Sequence, residues 1–409
     1  MEAIKAEPSM IKLSSLDKSN WKQYRFDEIA KSVSERVDPN NTDLEIYIGL
    51  EHLDSGSVHI KRFGKPEDVS GQKLKFYKGD VIFGRRRAYQ RKAGIATFDG
   101  FCSAHALVLR ANPEVIDPDL FPFFLHSDSF MNRAIDISVG SLSPTINWGA
   151  LKEERFLLPP LDQQHLFSKL FWALDASSES NILLKKKMNR FLEAEIEQKI
   201  HGEKINGYTI NQVIDNLEEK ISISSLGSLG EVFKGKGIPK ADVVEEGIPC
   251  VRYGELYTKH HRIIREFHSS ISSESTKAAT KLECDDVLFA GSGETISEIG
   301  KSAAFTGNDI AYAGSDILIF RPRDMDGVYS GYLMNSQLVR QQLNKLGTGA
   351  TVMHVYKTDI ESIKVPARKR KLQEEIGVYL ENISNRIFIL DEKINATSEF
   401  QKQIINQVF

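Results

Sequence analysis

The sequence predicts a mixed α/β protein in which two related domains alternate with two long helices. An internal repeat, a pair of heptad-patterned segments and a set of short apolar runs leading into polar loops carry that prediction. Asp80-Val81-Ile82-Phe83 returns as Asp286-Val287-Leu288-Phe289, 206 residues later. The same offset relates Thr145-Ile146 to Thr351-Val352 and Pro160 to Pro366. Earlier in each half the offset drifts, with Phe26-Asp27-Glu28-Ile29 matching Leu229-Gly230-Glu231-Val232 and Gly49 matching Gly254. Each match is short, but their shared order implies a duplicated architecture with an internal pseudo-twofold relation.

The repeat continues into two segments of helical period. After Pro160, apolar residues fall at Leu166, Leu170, Leu174, Leu184 and Met188; after Pro366 they fall at Leu372, Ile376, Leu380, Leu390 and Ile394, the same positions moved by 206. In the second copy Ile376, Leu380, Ile383, Ile387, Leu390 and Ile394 alternate spacings of four and three, the seam of a helix lying along another helix. Ser177 and Asn181 stand in the first copy where the second has isoleucines, and polar seam residues help fix register and partner. Each segment runs about 40 residues, or about 60 Å if unbroken. Gly202 and Asn206-Gly207 give stop and turn signals after the first. The chain thus divides into residues 1–159, 160–202, 203–366 and 367–409. Within the first domain, strand-like runs at 45–50, 80–83 and 104–109 lead to a helical run at 120–137, whose counterpart is 328–346.

The bulk properties narrow the function. A chain of 409 residues exceeds one ordinary core. It has no apolar run long enough for a membrane span, and the mixed, polar stretch from Met1 to Asn20 lacks the apolar block of a secretion signal. Cys102, Cys250 and Cys284 are isolated, which suits a reducing cytoplasm and offers no paired zinc ligands. The net charge of −3 hides a local concentration. Between Lys73 and Lys92 lie Lys73, Lys75, Lys78, Arg85, Arg86, Arg87, Arg91 and Lys92 against the single acid Asp80.

Catalytic and metal motifs find little support. Gly291-Ser292-Gly293-Glu294-Thr295-Ile296 follows an apolar strand, but Ile296 stands where a dinucleotide loop needs its third glycine, and a β-like stretch around 302–305 replaces the phosphate-cradling helix. No Walker A loop and no Asn-Pro-Pro-aromatic run is present. His260, His261 and His268, with Glu255 and Glu266 nearby, fit no usual ligand spacing and read as solvated or DNA-facing. Glu153-Glu154 and Asp285-Asp286 read as surface charge. No catalytic residue, metal or cofactor is expected in this chain.

The loops after the repeated strands suit DNA instead. The first is Gly84-Arg85-Arg86-Arg87-Ala88-Tyr89-Gln90-Arg91-Lys92. Guanidinium groups bind phosphates or guanine edges, and glutamine pairs with adenine. A solvated basic hairpin is the plainer alternative. The second copy has Ala290-Gly291-Ser292-Gly293-Glu294-Thr295-Ile296-Ser297 at this place, polar and acidic rather than basic. A further loop precedes each long helix, containing Ser143, Thr145 and Asn147 in the first copy and Thr348, Thr351 and His354 in the second. These are groove contacts or turn and cap residues. Candidate DNA-binding residues are therefore Lys78, Arg85, Arg86, Arg87, Tyr89, Gln90, Arg91, Lys92, Ser143, Thr145 and Asn147 in the first half. In the second half they are Lys234, Lys236, Ser292, Glu294, Thr295, Ser297, Lys301, Thr348, Thr351 and His354.

Taken together, an aspartate-led strand, a variable polar loop, a glycine-to-threonine loop, a proline and a long coil helix, all occurring twice, resemble the specificity subunits of type I restriction–modification systems. Leu157-Leu158-Pro159-Pro160-Leu161-Asp162-Gln163-Gln164 is similar to that family's junction between domain and helix, whereas Lys364-Val365-Pro366-Ala367-Arg368-Lys369-Arg370 departs from it. The resemblance implies two target-recognition domains, each reading half of a split site on double-stranded DNA. It implies spacer helices that pair as an antiparallel coiled coil, set the unread gap and dock two methyltransferase subunits, with restriction/translocase subunits joining them. S-adenosylmethionine, ATP and magnesium would belong to those partners, and the complex would be cytoplasmic with no membrane contact. The alternatives are an orphan or regulatory scaffold without a nuclease, a cryptic nuclease or methyltransferase, and a coiled-coil assembly protein without a DNA role.

Overall fold

The computed structural model describes residues 16–200, 212, 214, 221–293, 299–346 and 353–409. These gather into two compact units, one formed by residues up to Ile182 together with Glu392–Phe409, the other by Leu183–Asp391. Packing therefore cuts across the order of elements along the chain. Each α/β domain shares a unit with one end of each long helix, Leu161–Ile200 and Arg370–Val408.

In the first unit an antiparallel sheet has the strand order Ala30–Val33, Ala106–Ala111, Val81–Gly84, Ala93–Ile95. Val81 lies opposite Leu109 and Ile82 opposite Val108. Both faces of this sheet are covered, which is why the strand reads as a continuous apolar run rather than an alternating one. Phe83 and Leu109 face a core with Phe26, Phe121, Phe124, Phe130 and Phe156. Ile82 and Val108 face a second core with Ile48, Leu53, Phe76 and Cys102. A second sheet runs in the order Arg36–Val37, Lys73–Phe76, Gly100–Cys102, Tyr47–Ile48.

The second unit repeats the frame. Its sheet has the order Gly230–Lys234, Ile317–Pro322, Val287–Ala290, Ser302–Ala304, Arg262–Ile263. Phe289 and Phe320 face Tyr329, Tyr332 and Leu333, while Leu288 and Ile319 face Val251 and Leu256.

The repeated aspartate anchors the strand. Asp80 is 1% exposed and accepts from Arg110 Nε at 2.7 Å and Nη2 at 2.8 Å, while its Oδ2 accepts from Tyr77 N at 2.9 Å. Asp286, 0% exposed, accepts from Arg321 Nε at 2.8 Å and Nη2 at 2.7 Å and from Glu283 N at 2.8 Å. Such two-point pairing of guanidinium and carboxylate fixes geometry as well as energy. The expectation that Asp285-Asp286 is surface charge is therefore corrected. Asp285 too is engaged, accepting from Gly327 N and Arg370 Nη2. The sequence hides this because the partners lie across the sheet or on another element.

The helical run at 120–137 is two helices, Phe121–His126 and Asp128–Asp136. Ser127 takes an extended conformation and caps the second, accepting from Phe130 N. In the second copy Gly327–Met334 and Gln337–Leu346 break at Asn335-Ser336. The Ser127 and Ser336 hydroxyls bond the carbonyls three residues back, each at 2.7 Å.

The two long helices pair antiparallel. In the second unit Lys185 meets Asp391, Glu195 accepts from Tyr379, and the Ile200 carbonyl accepts from Arg368. In the first unit Phe167 and Phe171 pack with Ile404, Ile405 and Val408. In the second helix Ile376, Leu380 and Ile383 are buried, and Ile387, Leu390 and Ile394 are half-buried. The first helix needs correction. Leu170, Leu174 and Met188 pack against the cores, but Leu184 is 45% exposed and Lys185 takes the seam side. Ser177 is exposed and Asn181 half-buried. The buried stripe is Phe167, Phe171, Leu192, Ile196 and Ile200, because neighbouring apolar pairs such as 166/167 and 170/171 offer two stripes and the larger aromatics win the core. Gly202 and Asn206-Gly207 lie outside the described residues.

At each junction a buried glutamine ties domain to helix. Gln164 Nε2 donates to the Val115 and Pro159 carbonyls while its Oε1 accepts from Asp117 N. Gln373 accepts from Asp326 N and donates to the Arg368 carbonyl.

Replacing Arg321 by alanine strands the carboxylate of Asp286 and is expected to cost the second unit about 3 kcal/mol. Urea unfolding of the full chain, with an unchanged midpoint for the variant, would contradict the anchoring role of this pair.

Candidate nucleic-acid interface

The anchored strand of the first unit ends at Gly84 and delivers the basic loop to the surface. The loop meets the segment before the first long helix. Arg86 and Thr145 form a β-bridge, and Val139 and Thr145 another. Ile146 N donates to the Arg85 carbonyl at 2.9 Å and Arg87 N to the Pro144 carbonyl at 2.8 Å. Arg86 Nε donates to Ser143 Oγ at 2.9 Å. Two loops that lie far apart in sequence thus make one surface. Arg87 and Arg91 flank a short turn at Ala88–Gln90 with φ of 55° and 51°, left-handed backbone uncommon for a side chain of this size.

The structure sorts the basic residues. Arg86 and Arg87 are exposed, and Tyr89 is 55% exposed. Arg85 is half-buried, with its Nε shielded from solvent and without a hydrogen-bond partner. Arg91 is held inside the domain, by Asp128 at 2.7 Å and the His126 carbonyl at 2.5 Å. Burial pushes the His126 imidazole down to about 4, so at neutral pH it is uncharged, and its Nε2 lies 2.8 Å from the Ala93 carbonyl. Lys92 donates to the Leu50 carbonyl at 2.6 Å, and the Gln90 carbonyl accepts from Ser55. Lys78 is exposed but lies at the opposite end of the strand from the loop. In the companion loop, Thr145 Oγ1 donates to the Ser143 carbonyl at 3.0 Å. Asn147 occupies the N-cap position of Trp148–Leu151 without a side-chain cap bond and is exposed.

The second unit joins its loops the same way. Ser292–Gly293 pairs antiparallel with Met353–His354, with Ser292 opposite His354. Beside this pair lies a cavity of about 510 Å³ lined by Lys234, Gly291, Ser292, Asp316, His354 and Tyr356. Lys234 sits 3.2 Å from Asp316, His354 is exposed, and the His354 and Tyr356 rings lie 6.4 Å apart. Lys236 is exposed, its backbone N donating to Thr280. Lys301 is turned inward, donating to the Tyr257 carbonyl at 2.8 Å. Glu294, Thr295, Ser297, Thr348 and Thr351 lie outside the described residues. Tyr356, 59% exposed at the cavity rim, is a surface aromatic that sequence reasoning missed, although an aromatic beside His354 and Lys357 was a usable signal.

The histidine trio is divided. His260 is buried, 3.8 Å from Glu255, with its ring 5.6 Å from that of His268, while His261 and His268 are exposed. The reading of all three as solvated or DNA-facing is corrected for His260, which fills the interior beside Glu255. Among the described residues no three His, Cys, Asp or Glu side chains lie together as metal ligands. No helix among them is long and apolar enough to cross a membrane.

A family model for the type I restriction modification DNA specificity domain matches this chain twice, over residues 18–189 and 218–399. The chain belongs to that family. The two matches fall on the two copies of the frame, so the repeat read from the sequence is a repeat of the specificity domain. The chain is 30% identical over 149 residues to the specificity subunit of the type I restriction enzyme EcoDI of Escherichia coli, a match covering 36% of this chain and 33% of that protein. It is 20% identical over 379 residues to a Methanocaldococcus jannaschii protein named as the MjaX specificity subunit, covering 87% and 84%. In fold it is similar to the S subunit of the type I restriction-modification system from M. genitalium, with a TM-score of 0.61, 13% identity and coverage of 97% and 98%. It is likewise similar to a chain from a structural study of assembly and conformational transition of the type I R-M system, with a TM-score of 0.57, 17% identity and coverage of 95% and 97%.

Phenylglyoxal labelling read by mass spectrometry should modify Arg86 and Arg87 of this specificity domain well before Arg85 and Arg91. Equal labelling of the four would contradict the sorting of the loop.

Proposed function

We propose that this chain is the DNA-reading subunit of a type I restriction–modification complex. Residues 1–159 and 203–366 act as target-recognition domains, each reading one half of a split site, and residues 160–202 and 367–409 form the spacer. The observation that carries this reading is one frame built twice around unlike joined loops. One is basic, with Arg86 and Arg87 exposed at the surface; the other presents Ser292, His354 and Tyr356 beside a cavity. A shared scaffold with different surface chemistry suits two different base sequences.

Arg86 and Arg87 contact phosphates or guanine edges in this reading, with Ser143 orienting Arg86 and with Tyr89 and Asn147 available to the groove. Arg91 and Lys92 shape the loop from within. The helices bring the partners. Ile182 and Leu183 on the first helix are 40% and 54% exposed, and Phe388 and Ile389 on the second are 54% and 61% exposed. An exposed apolar pair on each helix suits two copies of one methyltransferase subunit. Restriction/translocase subunits join that complex in the cytoplasm. S-adenosylmethionine, ATP and magnesium are used by the partners, and this chain contributes no catalytic group.

Replacing Arg86 and Arg87 together by alanine in the assembled complex should weaken DNA binding and lower the salt-dependence slope of log K by about 2. An unchanged slope would remove these residues from the interface. Deleting one matched heptad from each long helix shortens it by about 10 Å, so the gap between half-sites should shrink by roughly 3 base pairs. Methylation mapping with an unaltered gap would refute the spacer role.

A further inference from the structure

Each α/β domain grips the long helix that follows it through one base and one acid. His59 Nε2 lies 2.6 Å from Asp175 Oδ2 in the first unit. Arg265 Nη2 lies 2.7 Å from Glu381 Oε1 in the second, and also donates to Ser384 Oγ at 3.2 Å. In both copies the base belongs to the α/β domain and the acid to the long helix that follows that domain. Domain is therefore latched to helix in each unit, once with a guanidinium that keeps its charge at all relevant pH and once with an imidazole that does not.

The surroundings of His59 define the latch. From the helix it faces Asp175 and Glu179; two residues along its own segment stands Lys61, which bridges to Glu179 at 2.7 Å. The helix also presents the uncharged Trp172, whose ring centroid lies 6.0 Å from that of His59. Trp172 is fixed by its Nε1 bond to the Asp119 carbonyl and by edge contact with Phe123 at 5.0 Å. The strand Ala93–Ile95, bridged to His59 through Ile95, brings no titratable group. In the second unit Glu381 has a second donor, the Tyr332 hydroxyl at 2.8 Å, so its latch is reinforced as well as permanent.

We propose that His59 is a pH-dependent positioning residue: its charge seats the first recognition domain on its spacer helix, so that reading of the first half-site weakens as pH rises while reading of the second does not. The proposal rests on the DNA-reading function given above. The hydrogen bond to Asp175 holds the imidazole above its ordinary range. The imidazolium contact is thus fully made below about pH 6.5, the ordinary histidine value, and is lost as pH climbs through the raised value of the folded chain.

The test uses the complex of the full chain with its methyltransferase subunits. Binding is measured to duplexes with both half-sites intact, with the first altered, and with the second altered, from about pH 6 to about pH 9. Discrimination at the first half-site should fall about fivefold across that range, and discrimination at the second should stay level. His59→Arg, which installs the base of the second copy, should flatten the first profile. His59→Gln should leave it low throughout. Arg265→His should transfer the pH dependence to the second half-site, which keeps the test decisive if a His59 variant folds poorly. A flat first profile in the unaltered complex, with sequence preference intact, overturns the role of His59 alone. Absence of sequence preference at every pH overturns the DNA-reading function and the proposal with it.

Discussion

Each copy of this fold is organised around a buried aspartate that two-point bonds an arginine from the neighbouring strand. Asp80 with Arg110 and Asp286 with Arg321 stand at the head of a four-residue strand whose other end runs into the loop joined to the segment before the long helix. The carboxylate also bonds a backbone N–H in the preceding turn. Strand register is specified wherever the faces are buried, and here both are. The ion pair adds a fixed starting point, so the loop emerges at the same place in both copies whatever its sequence. This lets loop chemistry diverge, from Arg86-Arg87 to Ser292-Gly293, without disturbing the sheet beneath.

A second constraint ties the domains to the helices. Buried Gln164 and Gln373 lock the chain at each junction, and His59–Asp175 and Arg265–Glu381 pin the domain further along the helix. The contact of Lys185 with Asp391 joins the two helices directly. Recognition surfaces carried on rigid elements keep their geometry better than surfaces on loops alone. The β-bridges between the paired loops, Arg86 with Thr145 and Ser292 with His354, extend that rigidity to the tips.

Much of this was legible because duplication leaves its trace in the order of residues. The aspartate-led strands, the two long helices and the isoleucine seam from Ile376 to Ile394 follow from spacing alone. The rest depends on contacts across the fold. Nothing in the spacing of Asp286 reveals Arg321, so a buried anchor reads as surface charge. The first helix carries two overlapping apolar stripes, and only tertiary packing selects Phe167 and Phe171 over Leu166 and places Leu184 outside. In the basic loop, sequence shows the density of charge but not its use. Arg91 and Lys92 are bound to carbonyls and Asp128, leaving Arg86 and Arg87 outward. The acids that His59 and Arg265 hold on the helices lie 116 residues away in each case, beyond the reach of local pattern.

In the proposed function one scaffold, used twice, reads two unlike half-sites. A chain in which residues 203–366 are replaced by a second copy of the first recognition domain tests it most directly, through methylation mapping in cells that supply the methyltransferase partner. Modification is expected at a symmetric split site, the first half-site repeated in inverted orientation. Modification that keeps the original asymmetric site would contradict it.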